Sequence, residues 1–400
     1  MKRRRQLIFL KDVFFVSLLA FGGPHAHYVL FQKTLVTKRR YATEDELLEL
    51  YTFCQLLPGP SSTQTITGLG YRIGGWPLAL LTLVIWALPA CAVMTFAAIV
   101  VHYQGQEALS SSVVKYMQAI AVAFVFYAAF LLVKKSAVTK TSVVLIISSA
   151  LICFLAQTPV AFPIIILLGG MTTTFRYKEQ KTEEKQPFDV RWGNLIAYAM
   201  IFIGAAILGK VTGLLPIRLF ENFYRNGSLI FGGGQALIGM FYTEFVEFKS
   251  SYQYMTSEEF LSGFAMLHLL PGPLFSFSSY IGALAMRQAD WGVWGMIMGG
   301  AIGMVGIFLP SSLWFFFLIR VWEYVKRYRI VKASKEGLMA SSAGIILGTA
   351  FMLGVPMFEA EHVPTTMAIL VMTVSFVLLA FTKVRPPLII LAGLILGWLF

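Results

Sequence analysis

The chain has 400 residues, 57% of them hydrophobic and 13% charged, with 32 Lys and Arg against 20 Asp and Glu. A mean hydropathy of +0.72 excludes a soluble domain and leaves a polytopic membrane protein. The net charge of +12 sits in short patches between apolar runs, where the positive-inside bias accounts for it without a nucleic-acid partner.

The first predicted element follows Lys2, Arg3, Arg4 and Arg5 and imitates a signal peptide, with Ala20-Phe21-Gly22 as a passable cleavage triplet. Lys11 and Asp12 interrupt it and a similar stretch recurs inside the chain, so it reads as mature structure. Gly22-Gly23-Pro24 breaks this segment before a basic loop with Lys33, Lys38, Arg39 and Arg40. Two basic ends belong on the cytoplasmic side, so the segment enters and leaves by one face. Thr43 and Glu46 then have capping-box spacing. They open a second broken segment, 46–75, which carries LLPGP at 56–60 and then Ser61, Ser62, Thr63, Gln64 and Thr65. Full spans are predicted at 77–101, 113–133, 142–156 and 159–175, with Lys134, Lys135 and Lys140 in a cytoplasmic loop. A polar linker, 176–191, and an extra apolar helix, 192–215, follow.

The pattern then starts again. Phe15 to His25 aligns with Arg225 to Gln235, which places Gly22 on Gly232, Gly23 on Gly233 and His25 on Gln235. Further on Thr43 meets Thr256, Gln55 meets His268, and the second LLPGP, at 269–273, matches the first. Gly68, Arg72 and Trp76 meet Gly282, Arg287 and Trp291 with small gaps. The loop matching the basic 33–40 loop is now acidic, with Glu244, Glu247, Glu258 and Glu259, whereas Arg320, Lys326, Arg327 and Arg329 are basic. The halves therefore read as oppositely oriented, joined by one odd helix. The expected fold is all-α and polytopic: two inverted-topology repeats, 1–175 and 217–400, around a linker and unpaired helix, 176–216. Nine full spans and four broken segments make about 13 membrane segments, the broken ones being either re-entrant hairpins or unwound spans.

Pro-Gly-Pro and Gly-Gly-Pro end one helix and start another, and each new start exposes free N–H groups that favour an anion. Candidate anion-binding residues are Gly22, Gly23, His25, Gln55, Gly59, Ser61, Ser62, Thr63 and Gln64 in the first half. In the second half they are Gly232, Gly233, Gln235, His268, Gly272, Ser276 and Ser278. Small hydroxyls beside bare N–H groups suit a tetrahedral oxyanion; alternatively they cap and pack helices. His27 has no aligned partner and reads as a hydrogen-bonded interior histidine. Arg72 and Arg287 either attract an anion or anchor at the interface. Asp12 and Glu49 could carry protons, yet align with Asn222 and Ser262. Cys54, Cys91 and Cys153 lack metal or disulfide spacing. With no HExxH, Walker or GxSxG pattern, no catalytic residue, metal or cofactor is expected.

At FGGPH, LLPGPSSTQ, FGGGQ and LLPGPLFSFSSY the chain resembles the chromate ion transporter family, of the long two-domain type. The resemblance implies a multi-pass transporter of the bacterial-type cytoplasmic (inner) membrane, N-terminus cytoplasmic, that moves chromate or a sulfate-like oxyanion outward and confers chromate resistance. A sulfate or other anion transporter and a passive anion channel are the alternatives, and a homo-oligomer is left open. In the second half Leu274 and Phe275 stand where the first has Ser61 and Ser62, which tells against a fully symmetric site.

Overall fold

The computed structural model describes residues 2–21, 23–55, 57–109, 112–156, 158, 161–176, 192–230, 234, 236–247, 254–289, 291–325, 329–355, 365–382, 384 and 386–399. Among these the chain is all-helical, without strand. In order the helices are α1 (Lys2–Ser17), α2 (Gly23–Phe31), α3 (Glu44–Cys54), α4 (Ser61–Leu109), α5 (Ser112–Ser136), α6 (Lys140–Ala156), α7 (Ala161–Arg176) and α8 (Gly193–Thr212). There follow α9 (Leu215–Leu229), α10 (Ala236–Tyr242), α11 (Ser257–Leu267), α12 (Phe277–Met286), α13 (Gly292–Val325), α14 (Arg329–Gly354), α15 (Thr365–Phe381) and α16 (Pro386–Leu399). Among the described residues five stretches are long and apolar enough to cross a membrane: Ser61–Gln104, Tyr116–Ser136, Gly193–Thr212, Gly292–Ile319 and Ala333–Gly354. The predicted central linker, 176–191, lies outside the described residues apart from Arg176.

The chain forms two compact units. One comprises Met1–Ile99, Pro187–Gly234 and Leu270–Glu323; the other comprises Val100–Gln186, Gln235–Leu269 and Tyr324–Phe400. Each unit draws on both halves of the sequence.

In the first unit the broken segments of the N-terminal half are hairpins. Asp12, in α1, accepts hydrogen bonds from Arg39 and Tyr41, both at 2.7 Å, and the Phe9 ring meets Tyr41 edge-on at 5.1 Å. The N-terminal part of α1 thus lies beside the residues that follow α2 and its π-helical continuation, Gln32–Lys38. The second segment closes the same way. Arg72 lies 3.8 Å from both Glu46 and Glu49, and Gly68 abuts Leu50 so closely that an added Cβ would lie 2.7 Å from its Cδ1. Had α3 and the start of α4 formed one unwound span, Glu46 and Arg72 would be about 39 Å or more apart at 1.5 Å per residue. With 11 residues, α3 extends for about 17 Å, roughly half the hydrocarbon thickness. The capping box that opens it is present, Thr43 and Glu46 exchanging bonds of 2.7 and 3.2 Å. A second capping box, Thr256 with Glu259, opens α11.

Helix α4 then folds back on itself. Trp86 Nε1 donates to Thr63 Oγ1 at 3.0 Å, although 23 residues of straight helix would separate them by about 35 Å. The reversal falls at Gly74-Gly75-Trp76-Pro77, where Gly75 has φ +72°, a conformation glycine reaches without a Cβ clash. The predicted span from 77 is the second arm of this hairpin. α12 and α13 repeat the arrangement. The backbone of Gly282 touches Gly299 and that of Ser278 touches Gly303, so the two helices run antiparallel after a turn that ends at Gly292, φ +55°. Trp76 and Trp291 stand exposed at these two turns, the place of interfacial aromatics.

In the second unit α14 packs against α5, α6, α7 and α10, and α5 also meets α11, α15 and α16. A stripe of small residues permits the close approach: Gly337 meets the Gly169 carbonyl, Gly344 that of Ile146 and Gly348 that of Ala150. On α6, Val144, Ile147, Leu151 and Leu155 are exposed along one face, while Ile146, Ser149 and Cys153 are buried on the other. A helix that shows its most apolar face outward is solvated by lipid, as expected of a multi-pass membrane protein.

The hairpin predicts labelling from one side. The native cysteines are all buried, so Ala42→Cys and Trp76→Cys, introduced one at a time, report on the ends of the 43–75 segment. Both should react with a membrane-impermeant maleimide from the same face of sealed vesicles; reaction from opposite faces would mean a traversing span.

Candidate functional site

The breaks in the first unit surround one cavity. Its lining comes from four places in the sequence: Gly23, Pro24 and His27 at the start of α2; Pro60 and Ser62 at the start of α4; Gly234; and Pro273, Leu274 and Phe275 before α12. The space admits the centre of a water-sized molecule over only about 10 Å³, room for about one water. The site is narrow in this conformation.

Two backbone hydrogen bonds tie the four breaks together. Gly59 N–H donates to the Ile230 carbonyl at 2.7 Å, and Gly272 N–H donates to the Ala20 carbonyl at 2.8 Å. In the sequence alignment Gly59 corresponds to Gly272 and Ala20 to Ile230, so each half donates once and accepts once. Both donors have φ in the glycine region, +108° and +123°. Each also leaves no room for a side chain. A Cβ on Gly59 would collide with that of Ser311, and one on Gly272 would lie 2.6 Å from that of Ala90. Ser311 and Ala90 each follow a proline inside a long helix, Pro310 in α13 and Pro89 in α4, a residue that removes one intrahelical hydrogen bond beside the entering backbone.

The predicted hydroxyl cluster divides by role. The first intrahelical bond of α4 runs from Gln64 N–H to Pro60 O at 2.9 Å, so the N–H groups of Ser61, Ser62 and Thr63 have no partner within the helix. Thr63 Oγ1 is engaged by Trp86 across the hairpin. Gln64 Nε2 closes the loop onto Pro58 O at 2.7 Å, while its Oε1 is buried without a partner among the described residues. Ser61 is buried, and its carbonyl accepts from Thr65 at 2.7 Å. Ser62 alone of the four lines the cavity, with its Oγ 3.1 Å from His27 Nδ1.

His27 is therefore in the cavity wall as well as hydrogen-bonded in the interior. Its Nε2 lies 3.0 Å from the Ala20 carbonyl, and its ring meets Trp86 edge-on at 5.4 Å. The sequence signal that could have marked it was its spacing, one helical turn beyond Gly23, on the face that carries the break. Among the other candidates, Gly23 lines the cavity with φ +80°, and Gln55 ends α3. Ser278 Oγ turns back to Phe275 O at 2.8 Å, and Ser276 Oγ is buried without a partner among the described residues. His268 belongs to the second unit, where it bonds to Phe264 O at 3.0 Å and stacks on Phe124 at 4.2 Å. Gly22, Gly232, Gly233, Gln235 and the His25 side chain lie outside the described residues. Arg72 is held by Glu46 and Glu49 at the open end of its hairpin, away from the tip.

The chromate transporter family model matches the chain twice, over residues 7–174 and 217–398. A chromate transport protein of Cupriavidus metallidurans is 25% identical over 404 residues, covering 98% of this chain and 92% of its own length. One from Pseudomonas aeruginosa is 25% identical over 406 residues, covering 96% and 89%. An uncharacterized transporter of Methanocaldococcus jannaschii is 22% identical over 390 residues, covering 96% and 92%. No solved structure matches the chain.

The packing at Gly59 predicts a measurable coupling. Gly59→Ala adds a Cβ at positive φ and against Ser311, and should cost about 2–4 kcal/mol. In a Ser311→Gly background the collision with Ser311 goes, leaving the dihedral strain, about 1–2 kcal/mol, and a 3.1 Å approach to Gln64 Nε2. Thermal unfolding of the four members of this double-mutant cycle checks the difference.

Proposed function

Because the chain belongs to the chromate transporter family, we propose that it carries chromate or a similar tetrahedral oxyanion out of the cell across a bacterial-type cytoplasmic membrane, conferring chromate resistance. The observation that carries this reading is a cavity lined from four chain breaks, with buried Ser62 and His27 in its wall. Helix starts and a small hydroxyl suit an acceptor-rich anion, which an unbroken bundle of apolar helices would reject. Relatives named as chromate transport proteins over nearly the full length support the choice of anion.

In this proposal the two halves, 1–175 and 217–400, are inverted-topology repeats of about 13 membrane segments in all, joined by the linker and unpaired helix at 176–216. The N-terminus is cytoplasmic, as the basic first hairpin favours. The conformation with room for about one water is a constricted intermediate of alternating access. Opening to either side parts one of the two tip-to-tip hydrogen bonds, Gly59 to Ile230 or Gly272 to Ala20, while the other holds. The anion-binding set comprises the cavity residues Gly23, Ser62 and Pro60 with the flanking Gly59, Ser61, Thr63, Gln64, Gly272, Ser276 and Ser278. Gly22, His25, Gln55, Gly232 and Gly233, beside the same breaks in the sequence, belong to the proposed set as well.

Inside-out vesicles containing the protein should accumulate labelled chromate above the level that the electrochemical gradient alone allows. Flux that only equilibrates would identify a passive channel. At equal abundance in the membrane, Gly59→Leu and Gly272→Leu should each lower the rate at least about tenfold, since either side chain would fill a tip without spare room. Normal rates in both variants would place the pathway elsewhere, and competition by unlabelled sulfate reads how far the site separates the two dianions.

A further inference from the structure

The hydrogen bonds of His27 have a fixed polarity. A carbonyl oxygen only accepts, so the nitrogen facing Ala20, Nε2, carries a hydrogen. In a neutral imidazole the other nitrogen is then bare. Nδ1 must accept from Ser62, and the only proton of the Ser62 hydroxyl is committed to the ring, 3.1 Å away. In this state Ser62 offers the cavity lone pairs, which repel an anion.

A second proton reverses the arrangement. Protonated at Nδ1, His27 donates to Ser62 Oγ, and the hydroxyl hydrogen is released to turn into the cavity. One uptake event thus supplies a positive charge and a new donor at the same place. We infer that oxyanion binding here is proton-linked: the anion enters the cavity together with one proton, which resides on His27 and switches Ser62 from acceptor to donor. This rests on the oxyanion reading given above.

The surroundings of the ring favour such linkage. Phe31 of its own helix and Trp86 of the second arm of α4 pack on it, Ser62 and the Ala20 carbonyl hold its nitrogens, and no described charged side chain touches it. On the neighbouring elements the titratable groups are occupied elsewhere. Asp12 is closed by Arg39 and Tyr41, Tyr28 packs on Tyr51, and Arg72 faces Glu46 and Glu49. Among the described residues, His27 is the one titratable residue lining the cavity. A lone cation or a lone anion among such buried groups is costly, and each offsets the desolvation of the other.

The test is the proton stoichiometry of binding. Purified protein in nanodiscs receives chromate in weak buffer, at a pH well above the titrations of both histidine and chromate, so that the added anion is wholly the dianion. A pH-indicator dye records the exchange. Wild type should take up about one proton per chromate bound, and its affinity should fall about tenfold per pH unit across this range. His27→Gln, which keeps an amide donor beside Ser62, should bind with no proton uptake and a flat pH profile. Ser62→Ala, which loses the donor, should bind about tenfold or more weakly. Chromate binding to wild type without proton uptake overturns the inference, as does uptake by His27→Gln equal to that of wild type. Absence of chromate binding to wild type overturns the oxyanion reading itself, and this inference with it.

Discussion

The structure depends on satisfying broken backbone where no water is available. A peptide group left unpaired at membrane depth costs several kcal/mol, and each break exposes several. Here the breaks satisfy one another. The Ala20 carbonyl, freed at the end of the first hairpin arm, accepts from both Gly272 N–H and His27 Nε2, using both of its lone pairs. Ile230 plays the corresponding part for Gly59. The tips converge because each is the hydrogen-bonding partner of another, and the cavity is the space their closure leaves.

That mutual dependence accounts for the glycines and prolines around it. A donor can reach a carbonyl on another tip only if its own backbone enters the groove of a neighbouring helix. Gly59 against Ser311 and Gly272 against Ala90 do so with no space for a Cβ. Pro310 and Pro89, immediately before those contact residues, interrupt helices that would otherwise run straight past. Proline in the receiving helix and glycine in the entering loop are two parts of one fit. Because backbone packed this closely does not deform gradually, the closed arrangement is suited to opening as discrete steps.

What was legible in the sequence was local. The prolines and glycines mark the breaks, the Thr43–Glu46 and Thr256–Glu259 spacing marks two helix starts that carry those capping boxes, and composition marks the membrane. The hairpin form of 43–75 was not legible, since an unwound span and a re-entrant loop use the same residues. It is distinguished by contacts between residues far apart in the chain, Leu50 with Gly68 and Glu46 with Arg72. For the same reason the roles within Ser61-Ser62-Thr63-Gln64 could not be assigned beforehand. Adjacent positions on a helix point about 100° apart, so Thr63 reaches Trp86 and Ser62 reaches His27. His27, hydrogen-bonded in the interior as its lack of an aligned partner suggests, also lines the cavity because the cavity wall does not follow the symmetry of the halves.

The asymmetry has a physical consequence. On one side of the cavity stand Ser62 and His27, a polar pair whose hydrogens can be rearranged; on the other stand Leu274 and Phe275, which have none to offer. The backbone fit requires near-equivalence of the two halves, since each glycine donor needs an acceptor of the same kind in return. Side-chain chemistry carries no such requirement, and a proton-responsive group on both sides would place two like charges in a space of about one water. In the proposed mechanism, Leu274 and Phe275 leave a single charge to be matched and strengthen its attraction for an anion by keeping the local dielectric low. The duplicated architecture therefore builds the closure, and the unequal side chains confine the chemistry to one wall of it.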